Sequence, residues 1–122
     1  MPPRAARALA LILLSKAAGD MSVAGTVESS TQLDGPWGIA AAGSYVYAAC
    51  YDIHGLAVID VSNSASPSMA GVFSNITFLP NPTYVALNAD ATFAYVTTDR
   101  YLTVIDVSTK SSPTFAGTVY HA

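Results

Sequence analysis

Apolar residues in this chain fall in short runs rich in Val, Ile, Tyr, Phe and Thr, broken by clusters of Gly, Ser, Asn, Asp and Pro. Such runs predict β-strands and such breaks predict turns. Eight strands are expected. The first four are Trp37–Ala42, Tyr45–Tyr51, Leu56–Val61 and Met69–Ser74. The second four are Thr83–Leu87, Phe93–Thr98, Tyr101–Val107 and Phe115–Tyr120. Gly43-Ser44, Asp52 to Gly55, Ser62–Pro67, Asn88-Ala89-Asp90 and Ser108–Pro113 supply the turns between them. No segment after residue 22 carries a convincing helical period.

The pattern repeats. Ala24-Gly25-Thr26-Val27 returns as Ala70-Gly71-Val72-Phe73 and again as Ala116-Gly117-Thr118-Val119, 46 residues apart each time. Ile59-Asp60-Val61-Ser62 returns as Ile105-Asp106-Val107-Ser108 at the same offset, as do Pro36, Ala40, Leu56 and Pro67. Mid-repeat the offset slips by two, so Tyr47 matches Tyr95: the turn at Asn88–Ala91 is longer and the turn at Asp99-Arg100 shorter than its counterpart. Cancelling insertions confined to turns are expected of copies of one fold. Four strands in 46 residues is the blade unit of a β-propeller. Leu56-Ala57-Val58-Ile59 and Leu102-Thr103-Val104-Ile105 are nearly continuous apolar runs, which predicts sheets covered on both faces, as when blades stack. The fold class expected is all-β, with about two and a half four-stranded antiparallel blades and a ring this chain alone does not close. Residues 31–75 form blade 1 and 76–122 blade 2, after a partial, degenerate blade or signal-like segment plus closing strand over 1–30.

Composition narrows the partners. At 52% hydrophobic and 11% charged, the chain is somewhat more apolar than usual, which points either to sheet buried on both faces or to further protein against it. Net charge −3 with five Lys and Arg leaves no electrostatic footprint for nucleic acid. The single cysteine, Cys50, excludes an internal disulfide and any multi-cysteine metal site. In its apolar strand it reads as a small buried side chain.

These units resemble the LVIVD repeat, a propeller-blade motif. The residues that carry the resemblance run from Gly43 to Tyr47, then Gly55 to Ser62, then Ala70-Gly71. In the second copy they are Tyr95-Val96, Leu102 to Ser108, Pro113 and Ala116-Gly117, and Arg100-Tyr101 departs from the usual Gly-Leu lead-in. The resemblance implies a propeller fold and an interaction platform, often at or outside the cell surface, and it implies no catalytic set.

Two blades cannot close a ring, since propellers need roughly four to eight. Further blades of the same parent chain, or copies of the chain itself, are therefore expected partners. Two readings of the N-terminus stay open. Leu9–Ser15 aligns with Leu56–Ser62 as a third, degenerate blade in which Leu13 replaces the Asp. Alternatively Arg4 and Arg7, the apolar Ala8–Leu14 and Ala17-Ala18-Gly19 compose a secretory signal. Seven apolar residues cannot span a bilayer.

Candidate chemistry is sparse. Asp60 and Ser62, like Asp106 and Ser108, end a strand once in each unit. Carboxylates lining a channel are one reading, and Asp and Ser side chains bonding the backbone of the next turn are the other. Repetition favours structural turn residues, because a catalytic group is needed once. Asp52 and His54 occupy a turn the second unit lacks in that form, and with Asn81 they mark the expected interaction turns, Asp52–Gly55 and Ser74–Pro82. Two potential ligands in one turn are a weak metal signal, so no metal or cofactor is assigned. Trp37, Tyr45, Tyr51, Tyr84 and Tyr101 are candidates either for a sugar- or peptide-binding face or for blade packing. Asn75-Ile76-Thr77 is an N-glycosylation acceptor triplet in the inter-unit linker. His121 carries no assignment. No G-x-S-x-G, phosphate loop or zinc pair is present. The function expected is a non-catalytic interaction or structural module, secreted or surface-exposed, with a protein or glycan ligand. The rivals are a fragment of a propeller enzyme and a subunit of a self-assembling ring or filament.

Overall fold

The computed structural model describes residues 10–17 and 20–120. Arg4, Arg7, Ala8, Leu9, Ala18, Gly19 and His121 lie outside them. The described residues form ten strands and no helix. The strands β1 (Ala10–Ala17) and β2 (Asp20–Glu28) make an antiparallel pair. Blade 1 is the meander β3 (Pro36–Ala42), β4 (Tyr45–Cys50), β5 (Gly55–Asp60) and β6 (Ser68–Ser74). Blade 2 is the meander β7 (Tyr84–Leu87), β8 (Phe93–Thr97), β9 (Tyr101–Asp106) and β10 (Thr114–Tyr120). Each expected strand is present with ends moved by about one residue.

One device sets the register in all three outer pairs. Gly71 pairs with Val58 and Met69 with Ile59, so Ala70 bulges out. Gly117 pairs with Val104 and Phe115 with Ile105, so Ala116 bulges. Gly25 pairs with Leu13 and Val23 with Leu14, so Ala24 bulges. A bulge inserts one extra residue into one strand and locks the pairing around it. It also moves the alignment of the first pair: Ser15, not Leu13, stands where Asp60 and Asp106 stand in the later pairs. The Ala-Gly bulge decides register here, and matching apolar letters in β1 do not.

Blade 1 is buried on both faces because its residues alternate between two cores. Tyr47, Ala49, Leu56 and Val58 pack with Leu79 and with Ala94, Val96, Ile105 and Val107 of blade 2. Val46, Ala48, Cys50, Ala57 and Ile59 pack on the other side with Leu33 and, from β2, Val27. Full burial of the Val, Leu and Ile side chains among them is worth about 1.5–3 kcal/mol each relative to exposure. The blades form a wedge whose inner strands converge, with β7 close against β3 and β4. Gly38 permits this, since a Cβ there would lie 2.5 Å from the Thr83 carbonyl oxygen and 3.0 Å from Tyr84 Cα.

Blade 2 departs from the expectation of two covered faces. Its strand β9 alternates between buried and more exposed positions although its sequence is as apolar as that of β5. Blade 1 covers one of its faces and nothing in the described residues covers the other.

Candidate functional site

An antiparallel meander sends its turns alternately to two ends, and the singled-out residues divide accordingly. The β4–β5 turn and the β6–β7 linker lie at one end and carry Asp52, His54, Asn75 and Asn81. The loops after β5 and β9 lie at the other and carry Asp60, Ser62, Asp106 and Ser108.

At the first end the structure joins three chain segments. The Asn81 backbone N–H donates to His54 Nδ1 at 3.1 Å. Asn81 Nδ2 donates to the Tyr51 carbonyl at 3.4 Å, and the Asn75 N–H donates to the His54 carbonyl at 2.9 Å. Ser74 Oγ donates to the Ile53 carbonyl at 2.6 Å. The Tyr51 N–H reaches the Gly35 carbonyl at 2.8 Å, bringing in the β2–β3 linker. His54 (φ 52°) and Asn81 (φ 50°) both hold left-handed backbone, a conformation Asn and His tolerate better than most residues. Asp52 lies against Gly35, where a side chain would collide with its carboxylate. The result is a rim of cross-bonded turns with Trp37 beside it, its ring 5.5 Å from that of Tyr51.

The linkers obey the repeat more closely than the sequence reading recognised. Ser29 and Asn75, 46 residues apart, both cap the turn that follows. Ser29 Oγ accepts the N–H of Thr31 and Gln32, and Asn75 Oδ1 accepts those of Thr77 and Phe78. Leu33 and Leu79, also 46 apart, plug the two cores. The Leu-to-Leu match at the blade period was the available signal. Asp34, also missed, is fully buried, and its charge acts on Cys50. Burial pushes the Cys50 thiol up to about 12; a backbone hydrogen bond from Ala57 opposes this and the Asp34 charge adds to it.

At the opposite end Asp60 and Asp106 do the same work. The Ser62 N–H donates to Asp60 Oδ1 at 2.8 Å and the Ser108 N–H to Asp106 Oδ1 at 2.9 Å. Hydrogen bonds from Ser62 and from Ser108, side chain first and then backbone, hold the two carboxyls below the usual range. Between the blades at this end lies a cleft of about 360 Å³. Lys110 spans it, donating to the Ala91 carbonyl at 2.9 Å, with its ammonium 5.5 Å from the centre of the Tyr45 ring and 5.3 Å from that of Tyr47. This blade-to-blade clamp left no mark in the repeat pattern, because Ser64 holds the matching place in blade 1.

The five aromatic candidates do not form one face. Trp37 packs tilted against Tyr51 and Tyr101 against Tyr120, Tyr45 lies under Lys110, and Tyr84 stands exposed on blade 2. Among the described residues no group of three or more His, Cys, Asp or Glu is placed to hold a metal ion. No helix among them is long and apolar enough to cross a membrane.

The LVIVD repeat pattern matches residues 36–75 and 87–120, which are blade 1 and nearly all of blade 2. The chain belongs to the LVIVD repeat family. The fold of this LVIVD chain is similar to the crystal structure of a functionally unknown protein from Desulfotomaculum acetoxidans DSM 771, with TM-score 0.74 and 15% identity. That similarity covers 97% of this chain and 37% of the other, so the LVIVD chain spans well under half its neighbour's length. No curated protein matches it. The chain is a propeller-like repeat module.

Proposed function

We propose that this module is a non-catalytic interaction platform at or outside the cell surface, and that the rim built from Tyr51–Gly55 and Ser74–Pro82 presents itself to a protein or glycan ligand. One observation carries the reading: two turns far apart in sequence are bonded through His54 and Asn81 into a single surface. A surface ordered in advance pays less entropy on binding than loose loops do. The rim is specific to this blade, since the corresponding turn of blade 2, Thr98–Arg100, is shorter and has no histidine. His54 accepts a backbone N–H at Nδ1, a role suited to holding shape rather than transferring protons. The glycosylation triplet at Asn75 lies on the same rim and is in keeping with an extracellular setting.

Photo-crosslinking tests this. A crosslinking side chain at exposed Ile76, on the rim, is expected to capture a defined surface protein or glycan. The same group at Asn63, at the opposite end, is expected to capture none, and His54→Ala to abolish capture from Ile76. Equal capture from both ends, or capture indifferent to His54→Ala, would sink the proposal.

A further inference from the structure

The cleft between the blades is walled by Ala42, Tyr45 and Tyr47 of blade 1 and by Ala89, Asp90 and Lys110 of blade 2. Three of these groups hold charge or hydrogen-bonding capacity that the described residues leave unused. The Lys110 ammonium has three N–H donors and gives one of them, to the Ala91 carbonyl. Asp90 accepts through Oδ1 alone, from Thr92 Oγ1 at 2.7 Å, Asn88 Nδ2 at 2.9 Å and the Thr92 N–H at 3.3 Å. The bonds from Thr92, ahead of that from Asn88, hold its carboxyl below the usual range, so it is an anion at neutral pH. Both charges sit at Ala91, Asp90 as its chain neighbour and Lys110 as its donor, yet no ion pair joins them. The third group is Tyr47. It is fully buried beneath the ammonium, and its hydroxyl has no hydrogen-bond partner among the described residues. A buried hydroxyl left unpaired is costly.

The backbone here is strained as well. Ala91 holds φ 56°, a left-handed conformation seldom adopted by a residue whose side chain offers no hydrogen bond, and such strain gathers at ligand sites. The arrangement occurs once in the repeat, since Ser64 stands at the place of Lys110 in blade 1.

Charge decides what such a cleft can take. A simple anion meeting Lys110 is opposed by Asp90 and by Asp106, which feels the Lys110 charge less than it feels its Ser108 hydrogen bonds. A simple cation meeting Asp90 is opposed by Lys110. A neutral apolar body strips water from both charges without replacing it. A molecule with one charge of each sign bridges the two. At about 360 Å³ the cleft is at the small end of ligand cavities, and its alanine walls suit an aliphatic body.

We propose that this cleft binds a free α-amino acid with an aliphatic side chain. The ligand carboxylate meets the Lys110 ammonium and, with an outward swing of that flexible side chain, the Tyr47 hydroxyl. The ligand ammonium meets Asp90 Oδ2, and the aliphatic group lies against Ala42 and Ala89. The site is at the end opposite the His54–Asn81 rim and does not depend on what the rim binds.

Titrating the isotope-labelled 122-residue chain with L-leucine, followed by amide NMR shifts, tests this. Saturable shifts are expected at Ser44, Ala91 and Lys110, and none at His54 or Asn75. N-acetyl-leucine, which lacks the cation, and leucinamide, which lacks the anion, are expected to bind about tenfold more weakly. Lys110→Met and Asp90→Asn are each expected to weaken leucine binding by a similar factor, and Tyr47→Phe by about threefold. The two derivatives probe the same charge pairing on the unaltered chain, so a variant that fails to fold does not hide the answer. Absence of saturable leucine shifts, shifts centred away from the cleft, or either derivative binding as tightly as leucine overturns the proposal. Failure of rim crosslinking would leave these readouts untouched.

Discussion

Leu56 and Leu102 are the same residue at the same position of the repeat, on the same sheet face, and differ in whether a blade covers them. Leu56 lies between Ala49 and Phe73 with blade 2 above it, and Leu102 lies between Thr97 and Val119 with its outer side open. Truncating Leu56 to alanine removes buried methyl groups and leaves a cavity between two sheets, at a cost of about 2–5 kcal/mol. Truncating Leu102 loses only in-plane contacts and leaves no enclosed void, so the cost is roughly 1 kcal/mol or less. With a urea m-value of about 1.5 kcal/mol per molar, Leu56→Ala lowers the unfolding midpoint by roughly 1.3–3.3 M and Leu102→Ala by less than about 0.7 M. Equilibrium urea unfolding followed by Trp37 fluorescence, repeated over a range of protein concentrations, measures both. Equal shifts would refute the reasoning, because they would mean that the outer face of blade 2 is covered in solution.

Cys50 is expected to resist alkylation in the native protein at pH 8, where a pKa of about 12 leaves about one thiolate in ten thousand, and to react at the ordinary rate once urea unfolds the chain; native reaction at a free-thiol rate would contradict its buried placement. Asp60 and Asp106 carry folded-state pKa values below the unfolded ones. Their stabilising contribution is therefore present above the ordinary carboxylate pKa, about 4, and lost as pH falls through the lower folded values. The double variant Asp60→Asn, Asp106→Asn is expected to show a shallower loss of stability below about pH 4 in urea titrations from pH 2 to 6; an unchanged acid limb counts against these turns.

Much of the fold was legible in one dimension because a repeat supplies its own internal comparison. The Ala-Gly pairs, the Ile-Asp-Val-Ser strand ends and the prolines recur at 46 residues, and turn chemistry marks every break between strands. Where one copy departs from the pattern, legibility falls. The apolar letters of the first strand set Leu13 at the place of Asp60, and pairing at the Ala24 bulge puts Ser15 there instead. The candidate site was half visible. His54 stood out in a turn that the other unit lacks in that form, and Asn81 as a residue of the linker between units, but their bond spans 27 residues of chain and no spacing rule announces it.

Period, strand order, turn positions and the pairing of each meander belong to the sequence, because they rest on local backbone preference and on short antiparallel connections. Burial belongs to the tertiary structure. Leu56 and Leu102, Tyr47 and Tyr95, Gly71 and Gly117 are alike as residues and unlike as environments, because apolar surface is removed from water only where another sheet lies against it. The clamp at Lys110, the buried Asp34 and the rim at His54 are likewise contacts between segments distant in the chain, and packing of the blades alone brings them together.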